Sequence, residues 1–236
     1  MTNDAQTFWL ENLQQADRYN NWIFEQIKPY LGDSVLEVGC GNGNFTVFLA
    51  KECSSVMGID LDSEYVELAR TRLQQKTLAQ KTEINIIQGD VLELDTDQRF
   101  DAIALLDVLE HIEDDVAILQ KLNRLLKPGG NLIVKVPALN SLYGEMDRAI
   151  GHYRRYSNRT IAETFAKANL SVPKTWYFNL AGIPGWWLNS VLLQKTNPPA
   201  GQVGLFNRVV PILEKLEKWV TPPVGLSLFA IAQSKE

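Results

Sequence analysis

The chain has 236 residues, enough for one α/β domain with a sizeable core and few for two. It is 45% hydrophobic and 22% charged, as a globular protein is, and its net charge of −5 argues against a nucleic-acid surface as the main partner. Two cysteines, Cys40 and Cys53, lack the spacing of a disulfide framework or a metal site, so no metal is expected and a reducing cytoplasm is the inferred location. The start, Met-Thr-Asn-Asp-Ala-Gln, has neither the basic segment nor the apolar run of a signal peptide. No apolar stretch reaches the roughly 18–20 residues of a spanning helix. Leu180–Leu193 comes nearest and is interrupted by Pro184, Asn189 and Ser190, so a soluble protein is expected.

A helix runs through Trp22–Ile27 and stops before Pro29 and Gly32. Strands and helices then alternate. Val35–Gly39 reads as a strand, Phe45–Lys51 as a helix, Val56–Asp60 as a strand and Ser63–Leu78 as a long helix. Ile84–Gly89 and Phe100–Leu106 are strands, Asp114–Leu126 is a helix, and Asn131–Val136 is a strand after the stop Lys127-Pro-Gly-Gly130. Near-continuous apolar runs mark strands buried on both faces, hence a parallel sheet covered by helices. Ser157 reads as the N-cap of a helix over Arg159–Ala168. Two further strands, Leu170–Phe178 and Gly225–Gln233, enclose about 45 residues, too many for a plain loop. Two helices are expected there, around Trp186–Leu193 and over Val203–Val220, the second broken or kinked at Pro211. The second carries an apolar face of Leu205, Phe206, Val209, Ile212, Leu213, Leu216 and Trp219, read mainly as packing onto the sheet with one rim facing substrate.

Chemistry is concentrated where strands end, as it is in open parallel sheets. The first strand runs into Glu37-x-Gly39-Cys40-Gly41-x-Gly43. Glycines there remove Cβ atoms and open backbone N–H groups to a ligand. A dinucleotide site would want glycine or alanine where Asn44 stands, and Glu37 would repel its phosphates. A cationic cofactor without phosphate reverses that argument: S-adenosylmethionine (SAM) carries an ammonium and a sulfonium. Asp60 ends the second strand, where a carboxylate can accept both ribose hydroxyls, or else cap the next helix. Asp90 ends the third, with a turn residue after Gly89 as its plainer reading.

With Glu37, Gly39, Gly41 and Gly43, the sequence resembles the class I SAM-dependent methyltransferases in their first motif, and further matches follow in order from about residue 33 to 137. The resemblance implies a Rossmann-like, doubly wound seven-stranded α/β sheet, mostly parallel with an antiparallel last strand. Helices would lie on both faces, with a helical insertion before the last strand. It implies one domain over 1–236, a SAM-binding core at 33–137, and substrate or lid segments at 138–156 and 179–223. SAM, leaving as S-adenosylhomocysteine, would be held by Glu37, Gly39, Cys40, Gly41, Gly43, Asp60 and Leu61. Asp90 would bond the adenine amino group and Val91 cover its ring. Asp107, at the end of the central strand, would line the methionine moiety, and Tyr19, from an N-terminal segment folded over the cofactor, would touch the same end. Asp107-x-x-Glu110-His111 matches a form common among small-molecule members, with His111 facing the acceptor.

The segment Asp147-x4-His152-x-Arg154-Arg155-Tyr156 is rich in functional groups for a loop and resembles a stretch found in a bacterial subgroup. His152 is a candidate general base oriented by Asp147. Arg154 and Arg155 could bind an acceptor anion, with Tyr143, Tyr156 and Trp186 completing the acceptor contacts; an exposed, salt-bridged loop is the alternative. The expected activity is methyl transfer from SAM to a small molecule, anionic or hydrophobic, with O-methylation favoured. Alternatives are a lipid-linked or macromolecular acceptor and a SAM-binding module without catalysis. Peripheral membrane contact is a secondary expectation.

Overall fold

A computed structural model of the chain describes residues 4–76, 82–199 and 201–234. Seven strands form one sheet: β1 (Ser34–Val38), β2 (Ser55–Asp60), β3 (Glu83–Gln88), β4 (Phe100–Leu106), β5 (Leu126–Pro137), β6 (Leu170–Phe178) and β7 (Ser227–Ser234). The order is β3-β2-β1-β4-β5-β7-β6, with β7 antiparallel to both neighbours and the remaining pairs parallel. Strand order reverses between β1 and β4, and the crevice beyond their carboxyl ends is where such sheets bind ligands.

Alternation along the strands assigns the two faces. Leu132, Val134 and Val136 of β5 and Leu228 and Ala230 of β7 join one core with α5 (Asp115–Leu125) and α7 (Asn158–Lys167). Ile133, Phe229 and Ile231 point the other way, into a core with α2 (Asp17–Ile27), α3 (Thr46–Glu52) and α9 (Gln202–Trp219). A third cluster seats α4 (Ser63–Lys76) through Val66, Ala69 and Leu73. Cover on both faces explains why β4 is apolar almost throughout. The expected N-cap is present: the Ser157 hydroxyl accepts the Thr160 N–H at 3.2 Å. Asp62, not Asp60, caps α4, accepting the N–H groups of Glu64 and Tyr65.

Three sequence expectations are corrected. β5 begins at Leu126, so Lys127-Pro-Gly-Gly130 lies within it. Its register jumps between Phe100 and Ala102 of β4, Gly129 takes a φ of +74°, and Lys127 Nζ bonds both Asp101 oxygens at 2.9 Å. Helix α9 continues through Pro211, where a break or a kink was expected, so the helix is not broken there. Its apolar residues also divide: Phe206, Val210 and Leu213 pack inward, while Leu205, Val209, Ile212, Leu216 and Trp219 are exposed. The end of the helix expected over 63–78 falls outside the described residues. Helix α8 (Gly182–Trp186) continues as a π turn over Trp187–Leu192, about where the first insertion helix was expected. Among the described residues no helix is long and apolar enough to cross a membrane.

Candidate active site

The glycine loop leaves β1 with Gly39 at φ +70° and Gly41 at +51°, conformations that strain residues carrying a Cβ. Gly39 is also crowded, since a Cβ there would stand 2.5 Å from Val108 Cγ2. Gly41 donates its N–H to Asp60 Oδ2 at 2.7 Å, and Asp62 donates to Asp60 Oδ1 at 3.0 Å, which ties the ends of β1 and β2 together. Asp90 accepts the Leu92 N–H at 2.8 Å in a turn, Val91 is buried and Leu61 is exposed. Cys40 is buried against Gly58, and burial pushes its thiol far up, so it is no nucleophile.

Helix α1 (Asp4–Gln14) lies over this loop. Leu10 is the nearest neighbour above Gly41, Asn42 Nδ2 donates to Gln14 Oε1 at 3.3 Å, and Thr7 meets the Tyr65 hydroxyl at 3.2 Å. Trp9 lies 5.7 Å, centroid to centroid, from Trp186, which joins α1 to the insertion.

Beneath the loop, Glu37 is buried and accepts the Thr46 hydroxyl at 2.5 Å. No cation pairs with it among the described residues, and burial followed by the nearby Asp60 charge pushes its carboxyl up to about 8. A buried carboxylate in want of a positive charge fits a cationic cofactor and disfavours a pyrophosphate. From an ordinary value of 4.5 to about 8, the folded chain holds a proton on Glu37 that the unfolded chain has lost, so stability falls as pH rises through this window. Glu37→Gln is therefore expected to equal the wild type at pH 4 and to exceed it at pH 8 by up to about 5 kcal/mol, while weakening SAM binding. Urea denaturation at the two pH values and calorimetric titration with SAM check this.

Asp107, one residue past β4, adopts φ +57° and donates its N–H to the Lys135 carbonyl at 2.9 Å. Its carboxylate takes both hydrogen bonds from Lys135 Nζ, at 2.6 and 2.5 Å, and Lys135 is buried. Burial opposes the charge on Lys135, but Asp107 prevails and its ammonium is held above the ordinary range. Tyr19, from α2, is partly buried among Trp22, Phe178 and Phe206, and burial raises its phenol. Lys135 was missed in the sequence, where its signal is a lone cation in the apolar run Leu132-Ile-Val-Lys-Val.

The segment after β5 folds inward. His152 Nδ1 bonds Asp147 Oδ1 at 2.8 Å, and the same oxygen accepts Arg155 Nε at 2.8 Å. Asp147 also accepts the Gly144 N–H at 2.9 Å; burial works against its charge, but His152 and Arg155 hold the carboxyl below its usual range. Arg155 further donates to the Ala138 carbonyl and stacks on Trp186, 4.6 Å from ring to guanidinium. Tyr143 donates to the His152 carbonyl at 2.7 Å. His152 Nε2 faces Glu110 Oε1 at 3.6 Å, and the rings of His111 and His152 pack edge to face at 4.7 Å. Burial, then the His152 ring, push His111 down to about 4, so its imidazole is neutral at pH 7.

Two expected acceptor contacts are corrected here. Tyr156 is 2% exposed and donates to Asp115 Oδ2 at 2.8 Å, so its hydroxyl serves the core. Arg155 is 5% exposed with its guanidinium already engaged, and the loop is a buried ionic network instead of an anion-binding surface. Arg154 is partly exposed but bonds Asp115 and the Glu113 carbonyl, closing the loop onto α5.

Residues 36–134 match the family described as "Methyltransferase domain". Residues 36–134 thus carry a methyltransferase domain, on the Rossmann-like fold of SAM-dependent methyltransferases. The domain is 32% identical over 130 residues to a demethylmenaquinone methyltransferase of Lactobacillus johnsonii, covering 52% of each chain. It is 33% identical over 112 residues to a ubiquinone biosynthesis O-methyltransferase of Pseudomonas fluorescens, covering 48% of this chain and 47% of that one. The chain thus spans about half the length of these curated relatives. Among solved structures, a magnesium protoporphyrin IX methyltransferase from Synechocystis with bound S-adenosylhomocysteine matches the methyltransferase fold over all of this chain and 89% of its own, with TM-score 0.59 and 18% identity.

Proposed function

We propose that the protein transfers a methyl group from SAM to a hydroxyl of a small acceptor, and that the whole chain acts as one methyltransferase domain in the cytoplasm. The observation that carries the reading is the cluster of buried Glu110, His152 and Asp147 with partly exposed His111, past the end of β4, in a domain of this family. Glu37, the loop from Gly39 to Gly43, Asp60 and Asp90 hold the cofactor, with Asp107 and Tyr19 toward its methionine end and α1 as a cover. SAM supplies the methyl group on a sulfonium, and in-line displacement needs mainly positioning and exclusion of water.

A hydroxyl acceptor must also lose its proton, and His111, the partly exposed member of the cluster, is the group best placed to meet it, with His152 and Asp147 behind. The name of one relative, a ubiquinone biosynthesis O-methyltransferase, supports an oxygen as the acceptor atom, and the names of both support a quinone-related acceptor. Leu188, Leu192 and Leu193 on the insertion are exposed and offer apolar surface for such a molecule.

The test is incubation with methyl-labelled SAM and cell extract, followed by partition and mass spectrometry. Label is expected in a small, alkali-stable ether; label only in precipitated protein or nucleic acid, or none, overturns the reading. On the acceptor so found, His111→Ala should lower kcat by roughly 100-fold or more while the SAM dissociation constant stays within about twofold.

A further inference from the structure

Among the described residues, Glu110 has no counterpart in the other buried acids. It is fully buried, and neither of its side-chain oxygens has a hydrogen-bond partner. An orphaned carboxylate of this kind costs several kcal/mol unless something completes it. The charges around it do not. Asp107 and Asp147 are already satisfied by Lys135 and by Arg155 with His152. Three carboxyl groups therefore face two cations, and Glu110 is the one left without a hydrogen-bond partner, where burial and then the Asp107 charge raise its carboxyl well above the usual range.

Beside Glu110 stands a pair of imidazoles. One ligand atom from each of Glu110, His111 and His152 lies within 4.8 Å of the others, and Glu110 Oε1 to His152 Nε2 is 3.6 Å. Ligands on a common ion with bonds of about 2.1 Å stand roughly 3–4 Å apart, so small side-chain rotations close the set. His152 is already oriented for such a role, because Asp147 engages Nδ1 and leaves Nε2 directed at the cluster. A carboxylate behind the distal nitrogen is the usual support of a metal-bound histidine. His111 is partly exposed, which provides an entry path and leaves further coordination positions open to water.

We propose that Glu110, His111 and His152 bind one divalent first-row transition ion, of which Zn2+ is the probe, with Asp147 as the positioning residue behind His152. Two imidazoles and one carboxylate favour such an ion over Mg2+ or Ca2+, which take all-oxygen sets. Binding of the ion rests on this geometry alone. A consequence for catalysis, that the ion polarises the acceptor hydroxyl in place of direct proton transfer to His111, rests on the O-methylation reading and fails separately from it.

The experiment is titration of chelator-treated full-length protein with Co2+, read by visible absorption, followed by displacement with Zn2+ and by thermal melting. The wild type should bind one equivalent, lose the bands on adding Zn2+, and gain several degrees in Tm. Glu110→Gln, isosteric in the core, and His111→Ala, at the partly exposed edge, should each weaken binding at least tenfold with unchanged far-UV circular dichroism. A wild type that binds no stoichiometric ion, or variants that bind as tightly as the wild type, would overturn the site. If the ion binds but chelation leaves methyl transfer unchanged, the site stands and only its catalytic consequence falls.

Discussion

Asp147→Ala should lower the free energy of unfolding by roughly 3–5 kcal/mol, among the largest single losses this chain can suffer. The carboxylate is fully buried and, among the described residues, is the only acid bonded to the Arg155 side chain, itself 1% exposed. Removing it strands a guanidinium in a low-dielectric site, orphans the Gly144 N–H and frees the His152 ring. The strain of an unpaired charge outweighs the loss of contacts, so adding Arg155→Met to Asp147→Ala should recover part of the loss although it removes still more hydrogen bonds. Urea denaturation of the two single variants and the double variant measures this. A loss under about 1 kcal/mol for Asp147→Ala would mean that Arg155 reaches water, contrary to its burial.

Gly39→Ala is the second severe change, for a different reason. A Cβ at φ +70° costs roughly 1–2 kcal/mol by itself. The added atom also meets Val108 Cγ2 at 2.5 Å, a branched carbon close to its backbone with little room to yield, which adds roughly 1–3 kcal/mol. The loop must shift to relieve the contact, and with it the Gly39 N–H bonded to the Ile59 carbonyl at 2.8 Å. SAM affinity is expected to fall at least about tenfold alongside the stability loss. Adding Val108→Ala should restore the packing share but not the backbone share. Full recovery in that double variant would show that φ carries no cost there.

Much of the fold was legible because its signals are local. Phe100–Leu106 is apolar on both faces, and only a strand buried on both sides has that use for Ile-Ala-Leu-Leu. Ser157 announces α7 through its own side chain. Where local signals fall short, tertiary bonds explain it: α5 does stop before Lys127-Pro-Gly-Gly130, but Lys127 binds Asp101 and the segment is drawn into β5. Pro211 was read as a break or a kink because its ring removes one helical hydrogen bond. Helix α9 bridges the gap with the packing of Phe206, Val210 and Leu213 on either side.

The site divides in the same way. The sequence by itself determined the sheet, the glycine turn and the acids at strand ends, because each depends on residues adjacent in the chain and on the backbone conformations they allow. Only the tertiary structure decided which charges are satisfied. Lys135 finds Asp107 across 28 positions, Tyr156 finds Asp115 across 41, and Arg155 turns inward to Asp147, while Glu110 is left without a partner beside two imidazoles. Pairing in a core depends on which strands lie side by side and how far water is excluded, and neither quantity is written in the spacing of residues along one strand.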